Sequence, residues 1–114
     1  MFIFNSNTQD YRCEISGITF CCENPETDSE KKAQKLSEAY QKNFEHILAF
    51  ISKEIKDIFP DISEDELSSR LGKPTIDLDI DQLIYTEQEL DDEHIFTIEY
   101  SGLLDKLLYF SIDG

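Results

Sequence analysis

Three groups of residues in this chain are of types that carry chemistry, and each must be weighed against what its neighbours demand. Asp77-Leu-Asp-Ile-Asp81 resembles the opening of a calcium loop, in which alternate carboxylates converge on a hard cation. Such a loop needs glycine at its sixth position and a bidentate glutamate at its twelfth, where this chain has Gln82 and Gln88. Alternation of acids with Ile76, Leu78 and Ile80 is explained more simply by a half-buried strand. Cys13, Cys21, Cys22 and His46 are zinc-ligand types, but adjacent strand residues point to opposite faces, so Cys21 and Cys22 do not meet easily at one ion. Buried thiols serving as small hydrophobes are the expectation, with a redox role for Cys21 behind it. Asp91-Asp-Glu-His94 places an imidazole beside carboxylates, the arrangement of a proton shuttle. No serine or cysteine nucleophile accompanies it in sequence, and nothing resembles a phosphate-binding glycine loop. The expectation is therefore no catalytic residue, no metal and no cofactor.

Charge is the strongest compositional signal. The chain carries 25 acidic and 10 basic side chains, a formal net charge of −15. Residues 1–56 hold nine acids against seven bases, and residues 57–114 hold sixteen against three. A field of that sign repels nucleic acid and anionic membranes and draws in cationic partners. Asp77, Asp79, Thr97, Glu99 and Tyr109 are expected on the outer face of a C-terminal sheet, bordered by an acidic connection that includes Glu87, Glu89, Asp91, Asp92 and Glu93. Carboxylates that speed association, beside an aromatic anchor, suit a surface for a basic protein; the plain alternative is an outer sheet face that is merely solvated.

These residues need elements to hold them. From Asp28 to Phe59, Ala33, Leu36, Tyr40, Phe44, Ile47, Leu48, Ile51, Ile55 and Ile58 recur at helical spacing opposite Lys31, Lys35, Lys42, Lys53 and Lys56. That predicts one amphipathic helix of about 48 Å, which must curve, fray or overhang in a domain of this size. Thr27 with Glu30 reads as its capping box, and Pro60 ends it. Ser63 with Glu66 caps a second, short helix over 64–71, stapled by Ile62 and Leu67 and closed by Gly72.

Before the helices, a short apolar strand that begins at Phe2, Ile3 and Phe4 and ends at Asn5 precedes a hairpin through Ser16-Gly17 that sets Ile15 opposite Ile18 and Cys13 opposite Phe20. After them, Ile76, Leu78 and Ile80, then Leu83–Thr86, then Phe96, Ile98 and Tyr100, then Leu108, Phe110 and Ile112 read as a meander. Ile98 is placed opposite Leu108, across a five-residue loop at Ser101–Asp105. The fold class expected is a single α+β domain over residues 1–114. It comprises an antiparallel sheet of five to seven strands packed on one long amphipathic helix, with a short second helix before a C-terminal β-meander.

The segments Leu71-Gly-Lys-Pro-Thr-Ile-Asp-Leu-Asp79, Asp91-Asp-Glu-His-Ile-Phe-Thr-Ile-Glu-Tyr-Ser-Gly102 and Tyr109-Phe-Ser-Ile-Asp-Gly114 resemble a group of small bacterial domains that includes immunity proteins of polymorphic toxin systems. The resemblance implies a cytoplasmic protein that binds and blocks a cognate toxin, often a basic nuclease. It assigns no catalytic residue. Three cysteines, an odd number, fit a reducing compartment, and neither a basic flank near Met1 nor a long apolar run suggests export or membrane insertion. A small enzyme or ligand-binding domain with a pocket around His94 or Cys21, and a homo-oligomer joined through the helix or an edge strand, are the alternatives.

Overall fold

The computed structural model describes all 114 residues, Met1–Gly114. Strands β1 (Ile3–Asn5), β2 (Asp10–Ile15) and β3 (Ile18–Cys22) precede helices α1 (Ser29–Lys42), α2 (Phe44–Glu54) and α3 (Glu64–Arg70). Strands β4 (Thr75–Asp77), β5 (Gln82–Tyr85), β6 (Ile95–Ser101) and β7 (Lys106–Asp113) follow. All seven strands form one sheet whose spatial order is the chain order, with the helices against one face. This is an α+β domain, but its sheet is mixed. Every neighbouring pair is antiparallel except β3 and β4, which run parallel. The three helices are the reason: they return the chain across the sheet to the end where β3 began, as a parallel pair requires.

The single long helix is corrected to two. At Asn43 (φ −103°, ψ 11°) the backbone leaves helical geometry, and the Asn43 side-chain amide donates to the Ala39 carbonyl at 2.9 Å, the same oxygen that takes its backbone N–H. A short amide offering such a local bond competes with the helical ladder. The break also solves the length problem, since the molecule measures 44 × 29 × 22 Å. Ala33, Leu36 and Tyr40 of α1 and Ile47, Leu48 and Ile51 of α2 all reach the core, whereas Ile58 lies past the end of α2 and is exposed. The Thr27–Glu30 capping box does not form; Asp28 is the N-cap, and Ser29 Oγ accepts the Glu26 N–H at 2.7 Å. The second box does form, with Ser63 Oγ accepting the Glu66 N–H at 3.1 Å and Leu67 fully buried.

The first hairpin has the expected register, Ile15 to Ile18, Cys13 to Phe20 and Tyr11 to Cys22, and these side chains join or abut the core. All three cysteines are free. Two details differ at the C-terminal end. The chain turns at Leu78–Asp81, so β4 stops at Asp77 and Ile80 is exposed instead of continuing the apolar face. Ile98 pairs with Phe110 and not with Leu108. A bulge accounts for the shift: Glu99 faces Tyr109 while Tyr100 faces Leu107, leaving Leu108 as the extra, exposed residue. The bulge puts Leu107, Phe110 and Ile112 against the core in place of a strict Leu108, Phe110, Ile112 alternation.

Candidate functional site

The sheet face away from the helices is organised by register. One line of paired residues crosses the whole sheet: Ile3, Arg12, Cys21, Asp77, Gln82, Glu99 and Tyr109. With strands about 4.8 Å apart, Asp77 and Glu99 stand about 10 Å from one another on either side of Gln82. A second line, Glu14, Thr19, Thr75, Ile84, Thr97 and Ser111, runs beside it. The register thus assembles Asp77, Thr97, Glu99 and Tyr109 on one surface, and Tyr109 is 62% exposed at its edge strand.

At one end of this face the Asn5–Asp10 turn, the segment after β3 and the Leu78–Asp81 turn enclose an open cleft of about 690 Å³. Its walls include Asp10, Glu23, Glu26, Asp77 and Asp79. Asp79 is braced there, its Oδ2 accepting the Glu23 N–H at 2.8 Å, and Asp77 Oδ1 accepts the Asp79 N–H at 2.9 Å. Asp10 is held by Arg12 through contacts of 2.9 and 3.2 Å, and the guanidinium keeps its carboxyl below the ordinary value. The three acids from the first half went unmarked in sequence. Asp10 opens β2, Glu23 follows β3 and Glu26 lies in the connection to α1, and they reach one site only once β3 lies beside β4. Cys21 lines the same cleft, but burial first, and the Asp77 charge second, push its thiol up to about 12. It is therefore protonated at neutral pH and a poor nucleophile.

Glu87, Glu89, Asp91, Asp92 and Glu93 lie elsewhere. They occupy the loop between β5 and β6, at the opposite end of those strands from the cleft, so the expected contact residues fall into two groups. Glu87, Glu89, Asp92 and Glu93 are exposed, whereas Asp91 is turned to internal work. Its Oδ1 accepts Gln88 Nε2 and the Glu93 and His94 N–H groups at 3.0 to 3.1 Å, and its Oδ2 lies 2.5 Å from His94 Nδ1. Gln88, itself buried, adds donations to the Asp91 and His94 carbonyls and accepts the Leu90 N–H at 2.8 Å. The Asp91–His94 pair is thus the clasp of a loop.

That clasp predicts a pH response. Partial desolvation raises the Asp91 carboxyl, but hydrogen bonds from His94, Gln88 and the two backbone amides outweigh it and bring the group to about 2. A carboxyl lowered on folding stabilises the native state above its unfolded value and loses that contribution as pH falls through the folded one. The stability advantage of the native chain over Asp91→Asn should be full above about pH 4 and shrink towards about pH 2. Urea unfolding of both proteins across that range checks it; a constant difference would contradict the clasp.

Charge is sorted between the two layers. Residues 29–70, which contain the helices, carry nine acids and seven bases, and the rest of the chain carries sixteen acids and three bases. No lysine forms an ion pair, the observed pairs being Met1–Glu30, Arg12–Asp10, Arg70–Glu66 and His94–Asp91. The carboxylates of the sheet layer are therefore not neutralised by the lysines of the helices. No family model, curated protein or solved structure matches this chain. No helix is long and apolar enough to cross a membrane.

Proposed function

We propose that this chain is a non-enzymatic binding domain whose sheet layer docks a basic protein, most concretely an immunity protein that blocks a basic toxin of the nuclease type. The observation that carries the reading is the sorting of charge: the sheet layer holds sixteen acids against three bases, and its open face sets Asp77 and Glu99 in line with the exposed ring of Tyr109. Carboxylates so placed steer a cationic partner, and an exposed tyrosine supplies an amphipathic anchor. The more specific version rests on reading residues 71–79, 91–102 and 109–114 as resembling immunity-type domains. The catalytic alternative has less support, because His94 does not line the cleft and Cys21, which does, is held as a thiol. Self-association through the outer edge of β7 is opposed by the Leu108 bulge, a feature that blunts strand edges.

The test is inhibition of a panel of basic nuclease domains by stoichiometric addition of the protein, followed by association kinetics with any domain that is inhibited. The combined substitution Asp77→Asn, Asp79→Asn and Glu99→Gln should slow association by roughly tenfold or more at low salt and flatten its salt dependence, leaving the fold intact. Unchanged on-rates in that variant would remove the sheet face from the interaction.

A further inference from the structure

A second concavity, remote in chemistry from the acidic cleft, lies where the Ser16-Gly17 turn, the last turn of α1 and the Gly72–Pro74 segment meet. Its volume is about 440 Å³, within the range of small-molecule sites. Ile18, Phe44 and Pro74 provide apolar walls, Tyr40 and Lys73 provide polar groups, and no carboxylate lines it. In a chain of net charge −15 that exclusion matters. Glu87 approaches Gly72 through its backbone carbonyl, and its carboxylate is not part of the wall. Lys73 is exposed and has no ion-pair partner.

Beneath the groove sits an unusual pair. The hydroxyls of Tyr40 and Tyr85 are 2.6 Å apart in the core, and neither makes another hydrogen bond. Two phenols carry two protons, but one oxygen–oxygen contact uses only one of them. Tyr85 is wholly buried, whereas Tyr40, with 9% of its surface exposed, is the member that lines the groove. Either hydroxyl could donate in this contact, but an unpaired donor costs least at the member nearer the surface, which favours Tyr85 donating outward to Tyr40 and the Tyr40 proton remaining free. Burial pushes the Tyr40 phenol up to about 12, with the bond to Tyr85 acting the other way, so it is a neutral donor at physiological pH.

We infer that this groove binds a small carboxylic acid with a flat apolar body, its carboxylate taking the Tyr40 O–H and the Lys73 ammonium and its body lying against Phe44, Ile18 and Pro74. Tyr40 and Phe44 already stack at a tilt, ring centroids 5.5 Å apart, which offers an aromatic wall. The site is independent of the acidic face, and its test does not depend on any protein partner.

The probe is 3-phenylpropionate, titrated into the full chain with amide NMR as readout, beside its neutral analogue 3-phenylpropionamide and a short peptide ending in phenylalanine. Saturable shifts centred on Gly17, Gln41, Gly72 and Lys73 are expected with the free acid. The amide should bind about tenfold more weakly or worse, the value of one charge-assisted hydrogen bond. Lys73→Gln, at an exposed position, should weaken the acid by a similar factor, and so should Tyr40→Phe. Because Tyr40→Phe also strips Tyr85 of its acceptor, Lys73→Gln carries the test alone if that variant does not fold. Absence of saturation, shifts centred elsewhere, or equal binding of acid and amide would overturn the proposal. Tighter binding of the peptide than of the free acid would overturn the choice of a small molecule as occupant.

Discussion

Phe96→Ala is expected to destabilise the protein by about 3 to 5 kcal/mol, the usual range for deleting a fully buried aromatic ring. Phe96 is wholly buried, its ring centroid lies 5.7 Å from that of Phe110, and Phe110 in turn lies 6.4 Å from Phe50. This chain of rings joins α2 to β6 and β7, so the cavity opens at the junction between the layers. Domains of this size are stable by only about 5 to 15 kcal/mol, so the variant should unfold at a much lower urea concentration or fail to fold at 37 °C. Equilibrium urea denaturation monitored by circular dichroism gives the number. A loss below about 1.5 kcal/mol would mean that the layers are not clamped through these rings.

Gly72→Ala carries the second large effect, and it reaches the acidic loop. Gly72 has φ +74°, and a Cβ added there would lie 2.9 Å from the Glu87 carbonyl oxygen and 3.3 Å from its carbon. Both neighbours are backbone, so relief requires the loop after β5 to move away from the end of α3. That movement strains the bond from the Glu89 N–H to the Arg70 carbonyl, which is 2.7 Å long. The left-handed conformation alone costs a non-glycine residue about 1 to 2 kcal/mol, and the clash should bring the total to about 2 to 4 kcal/mol. Gly72→Asn separates the two causes, because asparagine tolerates positive φ yet carries the same Cβ. A loss with asparagine that is smaller than alanine's by the dihedral part but still substantial, with accelerated hydrogen exchange at the Glu89 amide, is the result expected when the clash contributes. Full recovery with asparagine would assign the cost to the dihedral angle and leave the loop undisturbed.

Both variants act on contacts between residues distant in the chain, and such contacts divide what was legible in sequence from what was not. The hairpin register at Ile15 and Ile18 could be read because a two-residue turn fixes the pairing of its flanks. The Ser63–Glu66 cap could be read for the same reason, its partners being three residues apart. Asn43 shows the limit of periodicity: the apolar stripe runs on across it in sequence, but the helix does not. The bulge at Leu108 likewise escapes a strict period of two, since Leu107 and Leu108 are equally apolar and only the core selects which is inward.

Among the candidate contact residues, alternation was enough to place Asp77, Thr97, Glu99 and Tyr109 on the outer face. It could not tell that Glu87 to Glu93 gather at the other end of the strands, or that Asp91 is consumed in holding its own loop. Nor could it bring Asp10, Glu23 and Glu26 to the same cleft as Asp77 and Asp79. Hydropathy along a chain records which side of each element avoids water, and residue order thereby determined the layers, the core and the acidic outer surface. Which strand lies next to which, and in which direction, is set when the helices carry the chain across the sheet and pair β3 with β4. That pairing decides which charges become neighbours, because it joins segments more than fifty residues apart through backbone hydrogen bonds that every residue type can make.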